Sequence, residues 1–309
     1  MNRLNFGLDS FPKAKILLRW RVTDALFIIL IMLLYGLFYN LPPFERQFFI
    51  NDLTISHPFK EHEIVPNKEL FFYAAFTPFF LLIISSLIIT PKHRFYVTYL
   101  TLLGFVSSIL FTSFLTDILK NWIGRPRPDF ISRCDVTSTA LENVLYTASQ
   151  VCQTEDLEKL KDGFRSCPSG HSSISWAGLG YLSLWLLGQT CSAHHGTGLW
   201  RTLISIIPTI IATLIALSRT QDYRHRFSDV TIGSLVGALI GYWSYRRYFP
   251  SIKSRFCYMP TQLIVENNLS SNNYLLHENE DFEDGYHLIS TQIPAEPDLE
   301  NQLPHNYNQ

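Results

Sequence analysis

The sequence predicts an all-α, polytopic membrane protein: a bundle of six transmembrane helices with short extra helices or loops on the side that carries the candidate site. Only 17% of the 309 residues are charged, whereas a soluble domain usually has about 25%. The deficit is concentrated in a few long apolar runs, which indicates several membrane spans. No stretch resembles a nucleic-acid-binding motif, and the N-terminal residues lack the apolar core of a cleaved signal peptide.

A spanning helix needs roughly 20 mostly apolar residues, and six segments qualify or nearly qualify. In chain order they are Ala25–Leu41, Leu70–Ile89, Phe95–Leu119, Ile174–Thr190, Leu199–Leu217 and Val230–Phe249. The third and fourth segments are rich in small and hydroxyl residues, which let helices approach closely in a bundle. The sixth has small residues at Gly233, Gly237 and Gly241. We interpret that spacing as a packing face and not as a dimerisation motif.

Flanking charges predict the orientation and the domain boundaries. Lys and Arg lie before the first span, between the second and third, and after the sixth, which predicts cytoplasmic N- and C-termini. Residues 1–23 are then a cytoplasmic segment, residues 24–249 the six-helix membrane domain, and residues 250–309 an acidic, disordered cytoplasmic tail. From Tyr258 onward the chain has nine acidic residues and no Lys or Arg, a composition typical of disorder.

The five cysteines do not form the framework of a small disulfide-rich protein. A Cys134–Cys152 bridge is an open alternative if their loop faces an oxidising compartment. Cys191 and Cys257 are interpreted as lone thiols. The spacing of Cys167 and His171 does not indicate a zinc site, because no second ligand pair accompanies it.

The first of three motifs is KNWIGRPRP at Lys120–Pro128. Gly and Pro between Lys120 and Arg127 predict that the third span ends there. Lys120 is expected on the last helical turn and Arg127 on a stiff extended segment, with Arg125 pointing away. Basic residues at a helix end also extend toward the lipid interface, so this motif alone leaves both interpretations open.

The second motif is CPSGHSS at Cys167–Ser173, directly before the fourth span. A helix N-terminus offers free N–H groups to a phosphate. Ser169 adds a hydroxyl, and Gly170 lets the backbone come close. His171 is expected beside this group, able to donate a proton. A serine here is also an ordinary helix N-cap, which is the competing interpretation.

The third motif is SRTQDYRHRFSD at Ser218–Asp229. Arg219 is expected to end the fifth span. His225 and Asp229 are four residues apart and share a face if the sixth helix has begun. Asp229 would then accept the Nδ1 proton of His225 and leave Nε2 free as a nucleophile. An acid at this position is also typical of helix capping.

In combination, the three motifs resemble the type 2 phosphatidic acid phosphatase superfamily, and within it the fungal and plant lipid phosphate phosphatases that also cleave diacylglycerol pyrophosphate. The resemblance covers roughly Asp24–Phe249. It implies that His225 attacks phosphorus, that Asp229 orients His225, and that His171 protonates the departing lipid oxygen. It also implies a set of residues that bind the phosphoryl oxygens: Lys120, Arg127, Arg219, Ser169 and Gly170.

The expected activity is the hydrolysis of phosphatidate, lysophosphatidate or diacylglycerol pyrophosphate through a phosphohistidine intermediate. Fixed cations and helix-end amides can stabilise the phosphoryl charge. No Asp/Glu cluster with metal-ligand spacing lies near the motifs, so we expect no metal, no other cofactor and an activity independent of magnesium.

The expected partner is a lipid phosphate in the bilayer. The three motifs are expected on the lumenal or extracytoplasmic side of a vacuolar, Golgi or plasma membrane. Two alternatives remain open at this stage. One is a phosphatase for polyprenyl, sphingoid or soluble phosphates, and the other is a non-catalytic lipid-binding scaffold or transporter. A homo-oligomer is also left open.

Overall fold

The structure, a computed structural model, describes residues 14–38, 41–89 and 92–266. In chain order its helices are α1 (Ala14–Arg19), α2 (Val22–Phe38), α3 (Asn67–Phe71), α4 (Thr77–Ile89), α5 (Arg94–Ile123), α6 (Phe130–Cys134), α7 (Ala148–Val151), α8 (Leu157–Gly163), α9 (Gly170–Gln189), α10 (Leu199–Gln221) and α11 (Phe227–Tyr248). A π-helical turn, Phe72–Phe76, joins α3 to α4. The short strands β1 (Phe48–Phe49) and β2 (Leu145–Tyr146) pair in antiparallel orientation.

The prediction of an all-α membrane fold is confirmed, since the six predicted spans fall on helices. Within the described residues, three helices are long and apolar enough to cross a membrane: Asn67–Ile89, Arg94–Ile123 and Leu199–Gln221. α2 is a shorter apolar helix. α9 and α11 have 20 and 22 residues, but their many Gly and Ser residues make them less apolar. The total of six spans therefore stays a prediction.

α9 packs against α5, α10 and α11, which places it at the centre of the bundle. Its small residues permit this close packing. A Cβ atom on Gly178 would overlap the carbonyl oxygen of Ala74, and one on Gly237 of α11 would overlap that of Ser173. The packing role predicted for the small residues of the sixth span is confirmed.

Polar contacts fix α9 antiparallel to α5. The indole Nε1 of Trp185 donates to Oγ1 of Thr101 at 3.2 Å, near the start of α5. At the other end, Oγ1 of Thr116 donates to Oγ of Ser173 at 3.0 Å. This arrangement brings the C-terminal end of α5, with the first motif, to the N-terminal end of α9, with the second.

The segments beside the motifs form a second small core outside the bundle. Its buried side chains include Phe48, Ile55, Phe130 and Phe164, and Cys134 forms a disulfide with Cys152. Short helices were predicted on this side, and α6, α7 and α8 confirm them. The disulfide closes the loop between α6 and α7 and so stiffens the connection that carries the chain from the first motif to the second.

At the opposite end of the bundle, the residues that follow α11 differ from the predicted disordered tail. Residues 250–264 pack onto the helices, because Leu263 and Cys257 are buried and the side chain of Gln189 donates to the backbone oxygen of Tyr258 at 2.9 Å. The compact unit therefore ends at Ile264 and not at residue 249. Cys191 and Cys257 are free thiols, as predicted, although the Sγ of Cys257 lies 3.5 Å from that of Cys191. The acidic run on which the predicted disorder depends, and residues 1–13, lie outside the described residues.

Candidate active site

The three motifs meet around one cavity of about 270 Å³. Six of the eight predicted site residues line it: Lys120, Arg127, Gly170, His171, Arg219 and His225. Ser169 and Asp229 are fully buried beside it and do not reach its wall. The wall also contains residues that the sequence analysis did not predict, among them Glu63, Asp117, Asp162 and Arg165.

The first motif supplies its two cations as predicted. α5 ends at Ile123, and Gly124 adopts the left-handed φ of 56° that terminates the helix. Lys120 lies on the last turn. Arg127 is held in place from the backbone, since its N–H donates to the oxygen of Gly163 at 2.8 Å. Its guanidinium pairs with the carboxylate of Asp162 at 2.6 Å.

The second motif combines both of its predicted interpretations. Ser169 is the N-cap of α9, and its Oγ accepts from the N–H and the hydroxyl of Ser172 at 3.5 and 3.0 Å. Its oxygen accepts both capping bonds, and the predicted contact of Ser169 with phosphate stays a prediction. Gly170 does line the cavity, and a Cβ there would lie 2.8 Å from the Nζ of Lys120. Glycine therefore allows Lys120 to lie against the N-terminus of α9.

His171 and Arg219, two further predicted residues of the wall, contact a loop that precedes α3. Nε2 of His171 lies 2.9 Å from the backbone oxygen of Val65. Because a carbonyl oxygen only accepts, Nε2 carries the hydrogen in this contact. Arg219, on the last turn of α10, donates from NH1 to Glu63 at 3.1 Å and to the oxygen of Val65 at 3.3 Å. Neither Glu63 nor Val65 was singled out from the sequence.

His225 is positioned differently from the prediction. Its Nδ1 lies 2.6 Å from the backbone oxygen of Ser166, so Nδ1 donates and Nε2 remains as the unprotonated nitrogen of the neutral ring. The expected hydrogen bond to Asp229 was wrong. α11 begins at Phe227, so His225 precedes the helix and the rule for residues four apart does not apply.

Asp229 is instead the centre of a network behind His225. Its carboxylate accepts from NH1 of Arg125 at 2.7 Å, from the hydroxyl of Ser166 at 2.6 Å and from the backbone N–H of Arg226 at 3.1 Å. Ser166 therefore connects the two residues, since its hydroxyl binds Asp229 and its carbonyl oxygen accepts from His225. Arg125, expected to point away from the site, supports the network from outside the cavity.

The electrostatics of the site favour a neutral histidine and bound anions. Burial, together with the charges of Arg127, Arg219 and Lys120, lowers the pKa of His225 well below its usual value. Burial also lowers the pKa of Arg127 to about 10, so its guanidinium stays charged at neutral pH. Burial opposes the ionisation of Asp162, but Arg127 and the neighbouring Arg133 outweigh it and lower the pKa of this carboxyl to about 2.

Two arginines that line the cavity each have a buried donor without an acceptor. In the described part of the chain, the Nε atoms of Arg127 and Arg219 are buried without a hydrogen-bond partner. Unpaired buried donors are rare in proteins, and guanidinium groups pair well with carboxylates and phosphates. The arrangement is suited to an anion. No group of three or more His, Cys, Asp or Glu side chains that could hold a metal ion occurs among the described residues.

The sequence contains few signals for the site residues that were not predicted from it. Ser166 directly precedes the second motif. It contacts His225 through its backbone oxygen and Asp229 through its hydroxyl, and no spacing rule predicts such a pair of contacts. Glu63 and Val65 belong to a polar loop, FKEHEIVP, without periodicity or a motif. Asp162 lies in the seven-residue helix α8, far along the chain from its partner Arg127.

Comparison with known proteins assigns the family. The model of the PAP2 superfamily matches residues 101–253, which include all three motifs. "Diacylglycerol pyrophosphate phosphatase 1" of Saccharomyces cerevisiae is 47% identical over 262 residues, which cover 84% of this chain and 89% of that protein. "Probable diacylglycerol pyrophosphate phosphatase 1" of Schizosaccharomyces pombe is 40% identical over 75% of this chain and 83% of its own length.

A plant relative extends the comparison. "Lipid phosphate phosphatase 2" of Arabidopsis thaliana is 31% identical over 75% of this chain and 78% of that protein. No solved structure matches the chain. The superfamily model matches the region of the motifs, and the relatives are similar over most of their own length and of this chain. The chain therefore belongs to the PAP2 superfamily, as the resemblance of its motifs had suggested.

Proposed function

We propose that this chain is a magnesium-independent lipid phosphate phosphatase that hydrolyses phosphatidate, lysophosphatidate or diacylglycerol pyrophosphate. The observation that supports it most directly is the cavity of the three motifs, in which Lys120, Arg127 and Arg219 share a wall with His225. The names of the fungal and plant relatives, diacylglycerol pyrophosphate phosphatase and lipid phosphate phosphatase, support a lipid phosphatase activity.

The first half of the reaction forms a covalent bond to His225. Nε2 attacks phosphorus while the bond from phosphorus to the lipid oxygen breaks, and His171 gives a proton to that departing oxygen. Charge that develops on the histidine ring is stabilised by the hydrogen bond from Nδ1 to Ser166. Lys120, Arg127 and Arg219 neutralise the phosphoryl oxygens, as this type of transfer requires. The product is a phosphohistidine and a neutral lipid, or phosphatidate when the substrate is the pyrophosphate.

The second half releases inorganic phosphate. Water attacks phosphorus, the bond to Nε2 breaks, and His171 takes the proton of the water. Two in-line displacements leave the configuration at phosphorus unchanged. Asp229 does not touch either histidine and acts as a positioning residue, because it holds Ser166 and thereby the carbonyl oxygen that orients His225.

A lipid substrate fits the location of the cavity. The protein is an integral membrane protein, and the cavity lies at the ends of α5 and α10, two helices long and apolar enough to cross a membrane. One part of its wall is apolar and includes Leu70, Phe71 and Ile174. A headgroup can therefore reach the cations while its acyl chains remain beside the helices.

The disulfide supports the proposed side of the membrane. Disulfides persist in oxidising compartments, and Cys134–Cys152 lies on the side that carries the motifs. This supports a lumenal or extracytoplasmic site with cytoplasmic termini. A vacuolar, Golgi or plasma membrane is part of the proposal.

The direct test is a headgroup panel with the purified protein and with His225→Ala. Phosphate release from dispersed phosphatidate should disappear in the variant, while its thermal midpoint stays near that of the wild type. Full activity in the variant would rule out His225 as the nucleophile. EDTA should leave the wild-type rate unchanged, and loss of activity that magnesium restores would contradict metal independence. A strong preference for a soluble phosphate ester would contradict the lipid substrate.

A further inference from the structure

A loop segment outside the three motifs, residues 57–65, contacts all of them. The backbone N–H of His57 donates to the oxygen of Pro128 at 2.9 Å, in the first motif. Lys60 donates to the carboxylate of Asp222 at 2.7 Å, in the third. The oxygen of Val65 lies 2.9 Å from His171 of the second. We call residues 57–65 the strap segment. The mechanism above assigns it no role.

Glu63 brings a negative charge from the strap segment into the cavity. It lines the same wall as Arg127, Arg219 and His225. One carboxylate oxygen lies 3.1 Å from NH1 of Arg219, and the other lies 3.2 Å from Nε of Arg224. A cation expected to bind substrate phosphate is thus already in contact with a carboxylate.

We propose that Glu63 sets the affinity of the site for phosphate, in that its carboxylate opposes the phosphoryl anion at Arg219 and favours release of inorganic phosphate. The inference rests on the proposed function, since it assumes that this cavity binds the phosphoryl group. A doubly charged phosphate and a carboxylate at neighbouring positions on one guanidinium repel each other. The net affinity of the cations for phosphate is lower than it would be without Glu63.

A purely structural role for the charge of Glu63 does not fit its surroundings. Arg224 also pairs with Asp129 at 3.2 Å and donates to the oxygen of Lys60 at 2.9 Å. Arg219 also donates to the oxygen of Val65 and lies 3.5 Å from the carboxylate of Asp222. Both guanidinium groups therefore keep acceptors when Glu63 loses its charge, and the strap segment keeps its link through Lys60.

The chain offers a matched control two residues away. Glu61 is in the same segment, but its side chain is exposed and it is absent from the described wall of the cavity. Glu61→Gln and Glu63→Gln make the same change in net charge. Only the second removes a charge from within a few ångströms of the phosphate position, where the interaction of two charges is weakly screened and alters binding by roughly tenfold or more.

The experiment measures inhibition of phosphatidate hydrolysis by inorganic phosphate in detergent micelles. We expect the inhibition constant of Glu63→Gln to fall about tenfold relative to Glu61→Gln, with KM for phosphatidate shifted in the same direction. An inhibition constant equal to or higher than that of the control would overturn the inference. Glu63→Asp keeps the charge and should behave like the wild type. An equal gain in affinity in Glu63→Asp would show that packing and not charge is responsible, which also overturns it.

The outcomes separate this inference from the proposed function. If Glu63→Gln has a reduced thermal midpoint, the comparison is repeated with Glu63→Ala, and the same criterion applies. If the wild type hydrolyses phosphatidate but Glu63→Gln and Glu61→Gln respond equally to phosphate, the inference fails and the proposed function stands. If the wild type releases no phosphate from any lipid of the headgroup panel, the proposed function itself fails.

Discussion

The network behind His225 makes Ser166 the most informative residue to change. In Ser166→Ala the backbone oxygen that accepts from Nδ1 of His225 remains, but the hydroxyl that donates to Asp229 at 2.6 Å is lost. Asp229 keeps its contacts with Arg125 and with the N–H of Arg226, so the cap of α11 should persist. The substitution therefore removes the link between Asp229 and His225 and little else.

The expected effect can be worked out from that one bond. A buried hydrogen bond to a charged group contributes about 1.5–3 kcal/mol. If this energy serves to hold His225 in its attacking orientation, kcat should fall by roughly 10- to 100-fold, since about 1.4 kcal/mol corresponds to a factor of ten. KM should stay the same, because Lys120, Arg127 and Arg219 do not contact Ser166 in the described structure.

The assay is phosphate release from phosphatidate in micelles, with kcat and KM determined separately. Ser183→Ala is the matched control, because Ser183 is also buried and its Oγ accepts from the hydroxyl of Thr209 at 2.6 Å, within the bundle and away from the cavity. Ser166→Thr keeps a hydroxyl and should recover part of the rate. An unchanged kcat in Ser166→Ala, or a loss no larger than in Ser183→Ala, would refute the proposed role of Ser166.

Two further predictions follow from the site and from the small core beside it. Since burial and nearby cations lower the pKa of His225 well below its usual value, the nucleophile stays unprotonated on mild acidification, and kcat/KM should not fall near pH 6.5. A rate profile that loses activity with a midpoint at the ordinary histidine pKa of about 6.5 would contradict this. The Cys134–Cys152 bridge closes a loop of 18 residues, which predicts a loss of roughly 3 kcal/mol of stability in the Cys134→Ser/Cys152→Ser variant. Thermal unfolding of the two proteins checks the value, and equal midpoints would show that the bridge does not stabilise the fold.

The sequence predicted those parts of the site that depend on the ends of long helices. Apolar runs of about 20 residues define where the helices lie, and Gly124 and the prolines after it stop α5 in the predicted place. Ser169 caps α9 where the motif indicated. Because these signals are local, Lys120, Gly170 and Arg219 were predicted at the correct helix ends. The packing of the helices then brings these ends together around the cavity.

Contacts that depend on the tertiary fold could not be predicted in this way. The pairing of His225 with Asp229 was inferred from helical spacing, but the helix starts two residues after His225. The packing of residues 250–264 was missed because they are too short and too polar to form a further span, and only the contacts of Cys257 and Leu263 with the bundle show that they belong to it. The approach of Cys257 to Cys191 has the same origin, since the two cysteines are 66 residues apart.

The acidic residues of the cavity show why a search for cations alone describes an anion site incompletely. Buried guanidinium groups lose the solvation of water, and several like charges in one cavity repel each other unless carboxylates are nearby. Asp162 on Arg127 and Glu63 on Arg219 meet this requirement in the structure. These carboxylates must bind the cations more weakly than a phosphoryl group with two charges does. Otherwise the substrate could neither displace the carboxylates nor share the cations with them. A carboxylate such as Glu63 is suited to this role, because it shares Arg219 with the backbone oxygen of Val65 and the carboxylate of Asp222, so the guanidinium keeps acceptors when phosphate binds. The acids that balance the cations are therefore as much a part of the site as the cations themselves, although no motif marks them in the sequence.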